Sequence, residues 1–196
     1  VRTASCSYRP RPWPRLGSAA TAAARSPEAA TPPLEEFLME ESTRPARPGD
    51  LAVLVDLATA ARGELLDRKG GDVAERLDPH RYDPAARIGT ALDDAATVLL
   101  VGTIDGTVVG YGLMTMGAVS DGSGQAVVEE IFVEPEARAV GVGESILGAL
   151  LEVAKERGAL AIQSVALPGD RATKNFFETH GMVARAIIVH RWLDGR

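Results

Sequence analysis

Apolar residues recur at helical spacing from Leu51 through Leu54, Val55, Leu57 and Ala58, and Pro48-Gly49-Asp50 just upstream supplies a start signal with Asp50 as cap. The stretch Arg62–Arg81 is polar and rich in Gly, Asp and Arg, and the pattern predicts a second helix over Pro84–Ala96. Thr97–Ile104 is a continuous apolar run and reads as a strand. Asp105-Gly106 is a tight-turn signal, and Thr107–Val119 is its partner strand, with Gly110 and Gly112 marking a bend. Ser120–Gln125 reads as a loop and Ala126–Val133 as the third strand of a meander.

The period then changes. Gly143–Gly158 repeats Ile146, Leu147, Leu150, Leu151, Val153 and Ala154 at helical spacing, and Gly158 suits a left-handed stop. Leu160–Leu167 reads as a strand ended by Pro168-Gly169. Asp170–His180 reads as a short helix capped by Asp170 and stopped by Gly181, and Val183–Leu193 reads as the last strand. The step across 143–158 is a crossover, so the strands on either side of it should be parallel. The order helix, helix, three strands, helix, strand, helix, strand makes a mixed α/β fold.

Composition changes the picture at the N-terminus. Residues 1–33 carry the run Arg9-Pro10-Arg11-Pro12-Trp13-Pro14-Arg15, an Ala/Ser/Thr stretch, no acidic residue before Glu28 and no periodicity. The expectation for 1–43 is a disordered extension, a targeting segment or sequence upstream of a later start, with the folded domain over 44–196. The lone Cys6 excludes an intrachain disulfide and a Cys-rich zinc site, and His80, His180 and His190 have no metal-ligand spacing, so no metal is expected. No run is long enough to span a membrane, and a reducing, cytoplasmic location is the expectation. The net charge is −6. Residues 1–44 hold six arginines against five glutamates, and residues 45–196 hold fifteen basic against twenty-two acidic side chains. An acidic domain is a poor non-specific nucleic-acid binder and would attract a cationic amine, although many acidic proteins bind nothing cationic.

The chemistry concentrates in Glu129-Glu130-Ile131-Phe132-Val133-Glu134-Pro135-Glu136-Ala137-Arg138-Ala139-Val140-Gly141-Val142-Gly143-Glu144. A strand stops at Pro135, a turn follows and a helix starts near Gly143. Glycines allow close backbone approach, and free amides at a helix start suit a diphosphate. Arg138 adds charge there or packs as turn structure. A Rossmann phosphate loop needs a third glycine where Ile146 stands. Adjacent strand residues face opposite sides, so only one of Glu129 and Glu130 is expected at a given site, with Glu129 sharing the face of Ile131 and Val133.

The segment Arg138-x-x-Gly141-x-Gly143 after a strand ending in Val133 resembles the acyl-CoA motif of the GNAT N-acetyltransferase superfamily. Arg44–Leu51 is similar to that family's first strand and helix start, and Asn175–Met182 to its late motif. The resemblance covers about 44–193. It implies a mostly antiparallel twisted sheet flanked by helices, with a parallel strand pair around the acyl-CoA site. It implies acetyl transfer from acetyl-CoA to a primary amine of a small molecule or protein by direct attack, with no metal, no nucleic acid and no membrane. The family pattern places Ile131, Phe132 and Val133 beside the pantetheine arm, with the Val133 amide as oxyanion donor. It places the amides of Arg138, Ala139, Val140, Gly141, Val142, Gly143 and Glu144 at the diphosphate, and a proton-handling carboxylate at Glu129 or Glu130. Asn175 and Phe177 fall at cofactor positions. Phe177 stands where many members carry a tyrosine acid, which leaves a catalytically weak acyl-CoA-binding or sensing module as the alternative. Members commonly end in two strands, and Val183–Arg196 suffices for one. The other is then absent or supplied by a partner subunit in a homodimer.

Overall fold

A computed structural model describes residues 40–78 and 82–193, within a unit that begins at Leu38. The expectation for the N-terminal extension therefore lies outside the described residues up to 39. The elements in order are β1 (Glu41–Pro45), a 3-10 turn (Pro48–Asp50), α1 (Leu51–Leu66), α2 (Gly71–Leu77), α3 (Pro84–Asp93), β2 (Thr97–Ile104), β3 (Thr107–Ala118), β4 (Gly124–Val133), a second 3-10 turn (Pro135–Ala137), α4 (Val142–Glu156), β5 (Ala159–Ser164) and α5 (Arg171–Thr179).

The strands form one sheet in the order β1-β2-β3-β4-β5, antiparallel except for the parallel β4–β5 pair that the crossover through α4 requires. The fold is the mixed α/β arrangement read from the sequence. Its two faces carry separate cores. On one, Val98, Leu100, Met114, Ala126 and Val128 meet Val142, Ile146, Leu147 and Leu150 of α4 and Phe177 of α5. On the other, Leu99, Val101, Tyr111, Leu113 and Phe132 meet Leu54, Leu57 and Ala58 of α1 and Ile88 and Ala91 of α3. Residues 98 to 101 alternate between the two cores, which is why β2 is apolar without interruption. Gly102 and Gly112 let α4 approach, since a Cβ at either would stand 2.5 Å from Val142 or Ile146.

Four expectations need correction. α1 runs on to Leu66, and the stretch expected to be polar connection contains α2. β1 begins three residues before the expected boundary at Arg44. Asp50 makes no side-chain hydrogen bond to the first turn of α1; its carboxylate accepts from Arg44 (2.7 and 2.9 Å) and from the Arg47 amide (2.8 Å), tying β1 to the helix start. Finally, the expected strand over 183–193 has no ladder partner among the described residues, and Ile187, Ile188 and Val189 are exposed.

The hydrogen bonds from Arg44 hold the Asp50 carboxyl below its ordinary value, with burial opposing and the Arg47 amide assisting. A depressed carboxyl stabilises above its unfolded pKa and loses that contribution as the pH falls through the folded one. Asp50→Ala is therefore expected to cost about 1–2 kcal/mol at pH 7. The deficit should start to shrink below about pH 3.9 and vanish once the folded carboxyl is protonated, as checked by urea titrations of both chains across pH.

Candidate active site

The geometry starts from one irregularity in β4. Val128 pairs with Met114 and Glu130 with Leu113, so Glu129 is an extra residue between them. Such a bulge resets the alternation of side chains. Ala126 and Val128 face α4, and so do Ile131 and Val133 beyond the bulge, whereas Phe132 lies in the opposite core. Glu129 accepts a hydrogen bond from the Thr115 hydroxyl (2.9 Å) and Glu130 from the Tyr111 hydroxyl (2.6 Å). Tyr111 and Thr115 are four residues apart on a regular stretch of β3 and share a face. Both glutamates therefore point to the α1/α3 side. The expectation that only one of them would, and that Glu129 would share the face of Ile131 and Val133, is overturned by the bulge.

On that side lies a cleft of about 400 Å³ lined by Asp78, Asp83, Arg87, Thr90, Thr97, Leu113, Thr115 and Glu129, among others. Arg87 is mostly buried. It donates to Asp78 (2.9 Å), and its Nε lies 3.4 Å from Glu130 without a hydrogen bond. Tyr111 is fully buried, while Tyr82 is half-exposed beneath the Arg62 guanidinium. His80 and Arg81 lie outside the described residues.

The second half of the geometry is an opening between β4 and β5. Their pairing ends at Val128 and Ser164, where the Ser164 hydroxyl donates to the Val128 carbonyl (2.9 Å). β4 continues for five residues beyond. The Glu134 amide donates to Val109 of β3, and backbone groups alternate along a strand. The amides of Ile131 and Val133 are thus directed at the edge that β5 has left. The Val133 carbonyl accepts from Arg138 Nε (2.8 Å).

Facing this opening is the start of α4. Its cap, Gly141, has φ +97°, and Ala139 in the turn has φ +67°. α3 and α5 begin with Asp83 and Asp170, whose carboxylates accept first-turn amides; Gly141 has no side chain to do so. The amides of Val142, Gly143 and Glu144 have no acceptor within the helix and lie at the positive end of its dipole. Gly143 packs against Phe176 of α5 and Val133 of β4, so the helix start, the strand end and α5 meet at one place.

The arginine of the motif is occupied. Arg138 lies over the Phe132 ring and pairs with Glu64 of α1 (2.7 Å) as well as with the Val133 carbonyl. Glu64 is 3.6 Å from Arg68, which pairs with Asp170 (2.5 Å). This chain of charges ties α1 to both lips of the opening. Burial works to raise the Asp170 carboxyl, but the Thr173 amide and hydroxyl and the Arg68 guanidinium outweigh it and hold it low. The structure thus brings together Glu129 to Val133 and the turn from Arg138 to Glu144. Asn175 is exposed on α5, and Phe177 is buried in the α4-side core. Arg87 and Thr115 were not among the expected site residues. Asp83 and Arg87 are spaced like an exposed i,i+4 helix pair, which hid the arginine, and Thr115 becomes visible only once the face of Glu129 is known.

Among the described residues, no group of three or more His, Cys, Asp or Glu could hold a metal ion, and no helix is long and apolar enough to cross a membrane.

Gly141 gives the site its sharpest conformational requirement. A Cβ there would stand 2.3 Å from a Glu41 carboxylate oxygen, at a φ that side chains rarely adopt. Gly141→Ala is expected to weaken acetyl-CoA binding about tenfold in calorimetric titration. Gly148→Ala on the same helix meets nothing within 4 Å and should leave binding unchanged.

Comparison with known proteins completes the description. The model of the family described as "Acetyltransferase (GNAT) family" matches residues 63–182. A transcriptional regulator from Bacillus halodurans C-125 superposes with a TM-score of 0.60 at 25% identity, covering 78% of this chain and 100% of its own. An aminoglycoside N-acetyltransferase, AAC(6')-Iy, solved with CoA, gives 0.60 at 18% identity over 79% and 96%. A ribosomal-protein-alanine N-acetyltransferase from Brucella melitensis gives 0.60 at 18% over 78% and 100%. No curated protein sequence matches the chain.

Proposed function

Since the chain belongs to the GNAT acetyltransferase family, we propose that it transfers the acetyl group of acetyl-CoA to a primary amine of a small molecule or protein. The observation that carries this reading is the opening between β4 and β5 facing the glycine-capped start of α4, with Glu129 on the opposite face of the same strand. The pantetheine arm extends along the Ile131 and Val133 edge as an added strand. The turn and first-turn amides of α4 take the diphosphate. The acceptor enters from the cleft on the α1/α3 side.

In this arrangement the amine nitrogen attacks the thioester carbonyl carbon, the Val133 amide stabilises the developing oxyanion, and the C–S bond breaks with CoA leaving as thiolate while the nitrogen gives its second proton to water. Glu129 takes the ammonium proton, directly or through water, before attack. Holding both reactants in place supplies much of the acceleration. The aminoglycoside and ribosomal-protein enzymes of the same fold act on very different amines, so the fold leaves the acceptor class open. Acetyl-CoA is expected to bind in calorimetric titration. Heat-silent titration at millimolar ligand would reject the whole reading.

A second reading is supported by Phe177, which carries no hydroxyl and is buried in the core. It is an acyl-CoA-binding or sensing module without turnover. Thiol release measured over polyamines, aminoglycosides, amino acids and peptide N-termini separates the two readings, because rapid release with any acceptor rejects the second.

A further inference from the structure

The amides of Ile131 and Val133 face the gap where β5 has parted from β4. An unpaired strand edge readily takes up a neighbouring segment. Paired strands lie about 4.8 Å apart, so an arm that enters as an added strand needs the two lips held at roughly twice that spacing.

A series of contacts spans the gap. The amide and carbonyl of one strand residue point the same way, so Arg138 Nε, 2.8 Å from the Val133 carbonyl, reaches β4 at its open edge. The same guanidinium pairs with Glu64 of α1 at 2.7 Å. Glu64 lies 3.6 Å from Arg68, which stands about 6 Å further along the helix axis. Arg68 in turn pairs with Asp170, on the far lip, at 2.5 Å. The Asp170 side chain is only 8% exposed and accepts from the amide and hydroxyl of Thr173 (3.0 and 2.7 Å), so it is fixed to the start of α5. The corner after α1 touches that lip as well, since a Cβ on Gly70 would stand 3.8 Å from the Pro168 ring.

We propose that Glu64 and Arg68 are positioning residues for the cofactor: one turn of α1 braces the lips of the β4–β5 opening at the separation the pantetheine arm requires. The inference rests on the acyl-CoA reading above. The links stand in series, so breaking either one frees the lips. Glu64, Arg68 and Arg138 are 33%, 38% and 42% exposed, and pairs this exposed add little to global stability. Their effect falls on affinity, because an arm entering a gap of fixed width does not have to order its walls first.

Calorimetric titration of the full chain with acetyl-CoA and with 3′-phosphoadenosine 5′-diphosphate, the part of CoA without the arm, separates a brace from a nucleotide contact. Glu64→Ala and Arg68→Gln should each weaken acetyl-CoA binding about tenfold and leave the nucleotide within about twofold. The double variant should be no more than about twofold weaker than the poorer single, because a series is broken only once. Hydrogen exchange of the protein without cofactor gives a readout independent of binding. The Thr173 amide should exchange roughly tenfold faster in Glu64→Ala, although the substituted residue reaches α5 through Arg68, and circular dichroism should be unchanged. A wild type that binds acetyl-CoA and a Glu64→Ala variant that binds it within about twofold as well overturn this proposal alone. So does an equal loss for the nucleotide, or a double variant whose losses multiply. A wild type silent to millimolar acetyl-CoA overturns the acyl-CoA reading and the brace with it.

Discussion

Replacing Glu129 by glutamine is expected to reduce acetyl transfer by about 10²–10⁴-fold while leaving acetyl-CoA affinity unchanged. The bulge places this carboxylate in the cleft on the α1/α3 side, away from the edge assigned to the pantetheine arm. Glutamine keeps the shape and can still accept from the Thr115 hydroxyl, while it cannot accept the ammonium proton. Two readouts make the prediction specific. Calorimetry with acetyl-CoA should match the wild type. The deficit in kcat/KM should narrow as the pH rises through the pKa of the acceptor amine, because an amine that is already neutral has no proton to surrender. Turnover within twofold of wild type at pH 7 would remove Glu129 from the reaction. A deficit that stays constant with pH would assign it to acceptor binding alone.

That prediction depends on a feature the sequence did not disclose. The alternation rule assigned Glu129 to the face of Ile131 and Val133 because it assumes a regular strand. A bulge is an extra residue relative to the neighbouring strand, so it exists only in the register of β4 against β3. Nothing in Val127-Val128-Glu129-Glu130 marks it. Other features were legible because one local cause fixes each of them. Asp170 caps α5, Gly158 and Gly181 end helices with positive φ, and Asp105-Gly106 turns the hairpin. The uninterrupted apolar run of β2 follows from helices on both faces of the sheet. α2 escaped because it is a short helix in a polar stretch, packed so closely that a Cβ on Gly71 would strike the Leu65 carbonyl. The last strand was expected from Ile187-Ile188-Val189, but composition shows only that a segment can pair; the neighbour must come from elsewhere.

Arg87→Met is expected to destabilise the fold by about 3 kcal/mol, the low end of what breaking a buried ion pair costs. Arg87 stands between Asp78, just past α2, and Glu130 on β4, and its side chain and that of Glu130 are 9% and 11% exposed. Methionine fills much of the volume, so the loss is electrostatic: the attraction between the guanidinium and the mostly buried Glu130 carboxylate disappears while that carboxylate stays desolvated. The Tyr111 hydroxyl still reaches Glu130, which keeps the cost from rising further. Arg87 Nε lies 3.4 Å from Glu130 without hydrogen bonding, so the attraction is coulombic and depends on charge at both ends. Neutralising the other end should then be compensatory. Arg87→Met/Glu130→Gln is expected to be about 1 kcal/mol or more better than the sum of the two single changes, the coupling of groups in direct contact. Urea titration of the four proteins at pH 7 measures both quantities. Additive single changes would show that the Arg87 guanidinium contributes nothing to Glu130.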